Sequence, residues 1–413
     1  MTVRALPRIG VLCFFLVTTA VNTVAADTTK ATSESAFQVF PITTLEGRLP
    51  RLTAERGGAV LSWVTKGERG NALLAARLRN GDMEPPVKVT EGEQWFLNPF
   101  DRPSVVALSE AVLAGHWLER NSSSIHGYGV RIKFSLNNGK TWGETIIPHA
   151  DRAPVQHGFV HLRAASSRSV HALWLDGGKT GAASPSTSEP MALLSAQVDA
   201  SGRISKRTVL DERVCTCCQP ALQSTGKGWI AAYRDRSPSE VRDISVVAAG
   251  QPLKGDARAT FDDGWVIAGC PLNGPALSVQ GAQVTIAWFT AADDRPQVRL
   301  SFSNDNGHSF GKPQTVATDT PLGQVSAVTL EDGSALVSWL ECNGAGLELR
   351  VRQLFADPGK PPTESHVVVR SSRTIAAPQM TCSEGRTYLA WEIMGTDRVQ
   401  LAQLESNVGS CTR

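Results

Sequence analysis

Three cysteines lie within four positions in the segment CTCC, at Cys215, Cys217 and Cys218. The chain holds eight cysteines in all, so more than a third of them are concentrated at one point. Thiolates bind soft metal ions, pair as disulfides in exported proteins and become reactive when cationic neighbours lower their pKa. The spacing therefore raises three chemical hypotheses: a metal site, disulfide bonding and a redox-active thiol pair.

A fourth cysteine, Cys270, is predicted to lie beside this group. Its segment, AGCPLNG, follows CTCC at the distance of one structural repeat, described below, and enters its repeat from the same side. The preceding repeat brings His157 of the segment PVQHG to that side as well. Because thiolates and imidazole bind both copper and zinc, one hypothesis is a site for either metal. Its predicted ligands are Cys215, Cys217, Cys218, Cys270 and His157.

The other two hypotheses use the same cysteines. In the first, Cys270 forms a disulfide with one member of the CTCC group, as an oxidising compartment would permit. In the second, two thiols form a redox pair whose pKa is lowered by Arg213, Arg234 and Arg236. The sequence leaves the three hypotheses open.

Charged residues are concentrated in the segment RDRSPSEVRD, residues 234–243, and in the earlier segment FDRP. A guanidinium binds carboxylates and phosphates through two parallel hydrogen bonds, so these segments can form an anion clamp. The alternative is a self-neutralising network of surface ion pairs. The predicted ligand-binding residues are Asp101, Arg102, His157, Arg234, Asp235 and Arg236.

Seven segments share one pattern, a short apolar strand with an aromatic residue near its end. The aromatic residues recur at intervals of 51 to 59 residues, and a Gly- or Ser-containing turn precedes each strand. Self-similarity at a nearly fixed period is typical of radial or stacked repeats. The seven aromatic residues are Trp63, Trp117, Trp174, Tyr233, Trp288, Trp339 and Trp391.

These repeats predict an all-β chain folded as a β-propeller of seven four-stranded blades, with six blades as the alternative. The seventh repeat ends before its fourth strand, and the segment QVFPITT, residues 38–44, is left over at the start of the chain. That segment is predicted to complete the last blade and so close the ring. Residues 38–413 form the predicted propeller domain. The links between blades share one face, which places the cysteines and charged residues at one mouth of the central channel.

Two loops after third strands, SLNNGKTW and SNDNGHSF, resemble the Asp-box, Ser-x-Asp-x-Gly-x-Thr-Trp, of bacterial neuraminidase repeats. Asp305 matches the box, and Asn137 replaces its aspartate in the first copy. The chain therefore resembles the sialidase-like Asp-box propellers over its predicted domain. The resemblance implies that the boxes are structural, with an Asp or Asn side chain binding the backbone of its own turn.

The same resemblance implies an active site in which three arginines bind a substrate carboxylate. A tyrosine activated by a glutamate is the nucleophile, and an aspartate is the acid/base. The residues that fit this pattern are Arg48 and Pro50 of the segment GRLPRL, the further arginines Arg102, Arg234 and Arg236, and Asp101 as the acid.

The tyrosines depart from this pattern. Tyr128, Tyr233 and Tyr388 all fall within or beside predicted strands, so we expect sialidase activity to be absent or very weak. The sequence favours a propeller that binds a small anionic ligand or a soft metal ion at a cysteine-rich rim of its channel. The alternatives are a sialidase or other glycoside hydrolase acting on an acidic sugar, and a protein-binding scaffold.

The first 26 residues have the pattern of an export signal. Arg4 and Arg8 flank the apolar stretch IGVLCFFLVTTAV, and VAA at positions 24–26 offers a cleavage site. The alternative to a cleaved signal is an uncleaved anchor. A disordered leader is expected over residues 27–37. We therefore expect a periplasmic or secreted monomer with no later membrane span. The formal net charge of +2 speaks against nucleic acid as a partner.

The last two cysteines are predicted to form a disulfide. Cys382 ends the first strand of the last repeat, and Cys411 follows the third strand, so both emerge on the Asp-box side of the ring. A Cys382–Cys411 disulfide would fasten the C-terminus beside the seam that residues 38–44 close.

Overall fold

The computed structural model describes residues 37–124, 126–150, 155–178, 190–249 and 259–406. These residues form seven antiparallel β-sheets. The short 3-10 helix Ala292–Asp294 lies between the strands Gln283–Thr290 and Gln297–Ser303. No helix in this part of the chain combines the length and hydrophobicity that crossing a bilayer requires. The predicted signal peptide, residues 1–26, and Cys411 lie outside the described residues.

The seven sheets are the blades of a β-propeller, as the repeats predict. The first strand of each blade contacts the first strands of its neighbours, and the contact between blades 7 and 1 completes the ring. The strands of blades 1 to 3 are, for blade 1, Arg48–Glu55, Gly58–Gly67, Gly70–Arg79, Asp82–Met83 and Val87–Gly92; for blade 2, Ser104–Ala107, Leu113–Arg120 and Tyr128–Ser135; for blade 3, His157–Ser166, Ser169–Asp176, Met191–Asp199 and Ile204–Val214.

The remaining blades follow the same order, from the channel outwards. Their strands are, for blade 4, Ala221–Thr225, Gly228–Arg234, Ile244–Ala248 and Ala259–Phe261; for blade 5, Ala276–Gln280, Gln283–Thr290, Gln297–Ser303 and Gln314–Ala317; for blade 6, Pro321–Thr329, Ala335–Cys342, Leu347–Leu354 and His366–Ser371; for blade 7, Ile375–Ser383, Arg386–Ile393, Arg398–Ser406 and Phe37–Glu46. In blade 2 the fourth strand is reduced to one bridge between Ile132 and Ile146.

The N-terminal strand closes the ring. Phe37–Glu46 pairs antiparallel with Arg398–Ser406, and Leu45 is the partner of Val399. This strand is the outer edge of blade 7, as predicted from residues 38–44. It is longer than predicted, however, and includes Phe37, which the sequence analysis assigned to a disordered leader. Phe37 is in the strand because its side chain is buried against the core between blades 6 and 7.

The repeated aromatic residues form the core between blades. Trp174, Trp288 and Trp339 have almost no exposed surface. A buried indole N–H needs an acceptor, and in two of these strands a carboxylate two residues further on supplies it. Trp174 donates to Asp176 at 2.8 Å, and Trp339 donates to Glu341 at 2.8 Å. The acidic residue at the end of these second strands is therefore part of the blade core.

The two loops that resemble Asp-boxes have the self-bonded turn that the resemblance implies. The Oδ1 atom of Asp305 accepts hydrogen bonds from the Ser303 hydroxyl at 2.7 Å and the Ser309 amide at 2.9 Å. In the first copy the Oδ1 atom of Asn137 accepts from the Thr141 amide at 2.9 Å. Both loops are thus held by their own side chains.

Candidate functional site

The central channel contains a cavity of about 190 Å³ to which all seven blades contribute. It is lined by side chains of the first strands and of the segments that enter them. The lining is rich in arginine and glutamine and includes no aspartate or glutamate among the described residues. Its principal polar side chains are Arg51, Arg102, His161, Arg163, Gln219, Gln223, Gln280, Gln324 and Gln379.

Two β-bulges place the side chains of an arginine and a histidine in this cavity. In blade 1 the strand register shifts between Arg48 and Arg51, and Leu49 has a left-handed φ of 56°. In blade 3 the register shifts between Gly158 and His161, and Phe159 has a φ of 54°. A bulge changes the direction of the side chains that follow it. Arg51 and His161, which line the cavity, each follow such a bulge directly.

Hydrogen bonds across the channel fix the positions of these groups. Arg51 donates from Nη1 to Oε1 of Gln219 in the segment entering blade 4, at 3.0 Å. The Nδ1 atom of His161 lies 3.2 Å from the carbonyl oxygen of Pro220, and Nη2 of Arg51 lies 3.3 Å from Nδ1 and 3.5 Å from Nε2 of the same ring. A neutral imidazole with its proton on Nδ1 can donate to Pro220 and accept from Arg51 at Nε2. Arg163 donates from Nε to Oε1 of Gln223 at 3.0 Å.

The three arginines make this part of the channel positively charged. Burial, together with the charges of Arg102 and Arg163, lowers the pKa of Arg51 well below its ordinary value. Burial lowers the pKa of both Arg102 and Arg163 to about 10, so these two groups remain charged at neutral pH. Burial and the charge of Arg51 lower the pKa of His161, which keeps the imidazole neutral.

One buried carboxyl, that of Asp101, stands next to these charges. Burial raises its pKa to about 7, although the backbone amides of Phe159 and Val160 and the two arginines Arg51 and Arg102 act in the opposite direction. The blade 3 bulge approaches it so closely that a Cβ atom at Gly158 would lie 2.3 Å from Oδ2 of Asp101. Glycine at position 158 therefore permits the contact between the carboxyl and the bulge.

The cysteines of CTCC meet Cys270, as predicted from the distance of one repeat. Cys217 and Cys270 form a disulfide with a Cα–Cα distance of 6.0 Å. The Sγ atom of Cys215 lies 3.0 Å from that of Cys218 and 3.7 Å from that of Cys217. Cys215 and Cys218 are buried thiols in Cys-x-x-Cys spacing, and we call these four residues the cysteine cluster. Cys217 also lines the central cavity.

Arginines surround the two thiols. The Nη1 atom of Arg242 lies 3.4 Å from Sγ of Cys215, and its Nη2 atom donates to Glu240 at 2.7 Å. Burial acts to raise the pKa of Cys215, but the hydrogen bond with Cys218, the Cys217 amide and the charges of Arg234 and Arg242 outweigh it and lower the pKa to about 6. Burial raises the pKa of Cys218 well above its ordinary value. The pair thus consists of one acidic thiol and one that keeps its proton.

The structure brings three of the five predicted metal ligands together. The sulfur atoms of Cys215, Cys217 and Cys218 lie within 4.8 Å of one another, but Cys217 and Cys270 are bonded to each other and are not thiolates. His157 is not in this group within the described residues. The Nδ1 atom of His157 lies instead 3.2 Å from Oδ2 of Asp176. The two residues are partners because His157 begins the first strand of blade 3 and Asp176 ends the second.

Hydrogen bonds within the protein hold the side chains of the segment RDRSPSEVRD, residues 234–243. Arg234 donates to the carbonyl oxygens of Asn273, Arg242 and Phe289 at 2.6 to 2.8 Å. Arg236 donates to Glu240 at 2.9 Å. Burial raises the pKa of Asp235 to about 6. These hydrogen bonds direct donors of Arg234 and Arg236 to the protein itself, and their predicted role in ligand binding stays a prediction.

Of the predicted ligand-binding residues, the structure brings Arg102 to the cavity and Asp101 beside it. The sequence analysis missed Arg51, His161 and Arg163, which lie in strands and not in the links between blades. Their signal was the polar residues alternating with apolar ones in the first strands of blades 1 and 3. Such alternation shows that one face of a strand meets a polar space.

No family model matches the chain, and no curated protein matches it. Its fold resembles that of solved structures. The polysaccharide lyase Uly1 aligns with a TM-score of 0.54 at 11% identity, over 86% of this chain and 89% of that one. The α-L-arabinofuranosidase of Fusarium graminearum, in complex with arabinobiose, gives 0.45 at 11% identity, over 89% and 93%. The Hadza microbial sialidase Hz136 gives 0.46 at 12% identity, over 82% and 74%. At these identities the likeness shows the β-propeller fold alone.

Proposed function

We propose that this propeller binds a small anionic ligand in its central cavity, with a carboxylate as the group that is recognised. The observation that supports this is the composition of the lining, with three arginines and no acidic residue among the described residues. Guanidinium groups bind carboxylates with paired, charge-assisted hydrogen bonds. An anion held among Arg51, Arg102 and Arg163 would offset the cost of burying three like charges.

An acidic sugar is the ligand class that we propose first, because the sequence resemblance to sialidase-like propellers implies a substrate with a carboxylate. Arg102 belongs to the arginines that this resemblance selected, and Arg51 follows Arg48 and Pro50 in the same strand. The disulfide between Cys217 and Cys270 supports export to an oxidising compartment, where such a ligand would be met.

We propose binding without sialidase-type turnover. Tyr128 stacks on Phe96 with ring centroids 3.7 Å apart, and the hydroxyl of Tyr233 donates to Asp211 at 2.8 Å. Burial raises the pKa of Tyr128, Tyr233 and Tyr388, which opposes the phenolate that a nucleophile needs. None of the three tyrosines, all of them described, lines the cavity.

One observation favours glycoside hydrolysis as the second candidate. The Asp101 carboxyl, with a pKa of about 7, would be partly protonated at neutral pH, as a general acid must be. Efficient release of the fluorophore from a fluorogenic sialoside, abolished by Asp101→Asn, would support this candidate over binding alone.

Isothermal titration calorimetry with matched probes tests the binding proposal. We expect glucuronate and N-acetylneuraminate to bind and neutral glucuronamide to bind at least about tenfold more weakly, since a charge-assisted hydrogen bond contributes about 1.5–3 kcal/mol. Arg51→Gln and Arg163→Gln should each weaken binding of the acids by a similar factor. Arg69→Gln is the control, because that side chain is exposed on the surface.

The proposal is wrong if glucuronate and glucuronamide bind equally well, or if acetate, phosphate and both acidic sugars all fail to bind. A soft metal ion in the cysteine cluster is tested separately, by mass spectrometry of metal content. The oxidised protein should hold little copper or zinc, because only Cys215 and Cys218 of the cluster remain as thiols.

A further inference from the structure

The cysteine cluster has an exposed end and a buried end. Cys270 is exposed, and its disulfide partner Cys217 is buried. Behind Cys217 lie the thiols of Cys215 and Cys218, which are 1% and 2% exposed. A reagent in solution can therefore reach Cys270 directly, whereas it can reach the two thiols only through the disulfide in front of them.

We propose that the cysteine cluster is a thiol–disulfide exchange site, in which the Cys215/Cys218 pair reduces a disulfide of another molecule through the Cys217–Cys270 disulfide. This activity is independent of anion binding. It rests on the Sγ–Sγ distances of 3.7 Å between Cys215 and Cys217 and 3.0 Å between Cys215 and Cys218. Both are contact distances, so each transfer needs only a small movement of a side chain.

The first transfer moves the disulfide inwards. Cys215, as the thiolate, attacks Sγ of Cys217, a bond forms between these two sulfurs, and the Cys217–Cys270 bond breaks. The electron pair leaves on Sγ of Cys270, which is at the surface and takes a proton from water. Arg242, with Nη1 3.4 Å from Sγ of Cys215, stabilises the attacking thiolate.

The second transfer completes the isomerisation. Cys218 gives up its proton and attacks Sγ of Cys215, so that Cys215–Cys218 becomes the disulfide and Cys217 leaves as a thiolate. No electrons have been gained or lost, because one disulfide and two thiols are present before and after. The thiols are now Cys217 and Cys270, one of which is exposed.

The third stage uses an external disulfide as the oxidant. Cys270 attacks it and releases one thiol, and Cys217 then attacks the mixed disulfide at Cys270 and releases the second. The Cys217–Cys270 disulfide is restored. In the sum, Cys215 and Cys218 lose two electrons and two protons to the external disulfide, which becomes two thiols.

The test uses the purified full chain and excess hydroxyethyl disulfide as the probe. After an acid quench, denaturation and labelling with N-ethylmaleimide, peptide mapping should show that Cys215 and Cys218 no longer accept label. About two equivalents of mercaptoethanol should be released per chain, because each disulfide yields two thiols. Cys218→Ser should stop after the first transfer, with Cys215 bonded to Cys217 and Cys270 bonded to the probe.

Cys215→Ser should reduce the release of mercaptoethanol at least about tenfold, because it removes the nucleophile behind Cys217. Cys342→Ser, which removes a buried cysteine of blade 6, is the control and should react like the unaltered protein. If Cys215→Ser does not fold, the mapping of the unaltered chain decides. Full labelling of Cys215 and Cys218 after prolonged reaction, or undiminished release by folded Cys215→Ser, would show that the cluster is not an exchange site.

Discussion

Arg51 donates a hydrogen bond to Gln219 at 3.0 Å and so joins two blades that are not adjacent in the ring. Arg51 belongs to blade 1, and Gln219 precedes the first strand of blade 4. The amide nitrogen of Gln219 also donates to the carbonyl oxygen of Val160 in blade 3, at 3.2 Å. One glutamine thus links three blades across the channel and holds a cationic group in the cavity.

Replacing this glutamine should destabilise the fold. Gln219→Ala leaves a buried guanidinium donor without its acceptor, which costs about 1–3 kcal/mol. We expect the free energy of unfolding, measured with urea, to fall by that amount. Gln403→Ala, in the third strand of blade 7, removes a side chain whose hydrogen bond to Glu405 is exposed, and it is the control. It should change the free energy of unfolding by no more than about 0.5 kcal/mol. Equal effects of the two variants would mean that the cross-channel bond contributes little.

Anion affinity should decrease as the pH rises through about 7, where the Asp101 carboxyl ionises. Below this pH the carboxyl is neutral, and the anion meets the charges of Arg51, Arg102 and Arg163 without an opposing carboxylate. Above it, the carboxylate repels the anion and neutralises part of that charge. Calorimetry with glucuronate between about pH 5.5 and 8.5 measures the effect, since that range brackets the pKa. Tyr128, whose pKa is raised by burial and by the charge of Asp101, stays neutral throughout.

The control for this pH dependence is Asp101→Asn. The amide is neutral at every pH, so the variant should retain the acid-side affinity of the unaltered protein over the whole range. A flat profile for the unaltered protein, or a profile that persists in Asp101→Asn, would assign the titration to another group.

Removal of the closing strand should open the ring. A variant that lacks residues 37–46 exposes the edge of Arg398–Ser406 and loses the burial of Phe37. We expect a large loss of thermal stability and a tendency to aggregate, measured by calorimetry and light scattering. A variant that lacks residues 27–36 should melt like the unaltered protein. Identical melting of both variants would contradict a structural role for the strand.

The pairing of Cys382 with Cys411 stays a prediction, because Cys411 lies outside the described residues. Peptide mapping under non-reducing conditions should recover the two cysteines in one linked pair. A disulfide that closes the loop between positions 382 and 411 contributes about 3 kcal/mol to stability, so Cys411→Ser should lower the free energy of unfolding by a similar amount. Free alkylation of both cysteines in the native protein would exclude the pair.

The sequence predicts the ring better than it predicts the site. The aromatic period is set by one core position per blade, as at Trp174 and Trp339, and therefore gives the number of blades. The same period brings Cys270 to Cys217. The sequence predicts the directions of the side chains less well. Arg234 is turned towards three carbonyl oxygens, and His157 lies against Asp176. The alternation of polar and apolar residues indicates that these first strands face a polar space, but it does not predict the bulges through which Arg51 and His161 reach the cavity.

The seam between the first and last strands also constrains how the protein can assemble. Phe37 pairs with Ser406, which lies at the other end of the propeller sequence, so the N-terminal strand of the ring is the last to find its partner. Six blades can form by local pairing while the chain is still being made. The seventh requires loop closure over the whole domain, which is slow for long-range strand pairs. Until then the N-terminal strand is an unprotected edge, and the cell must keep it from pairing elsewhere.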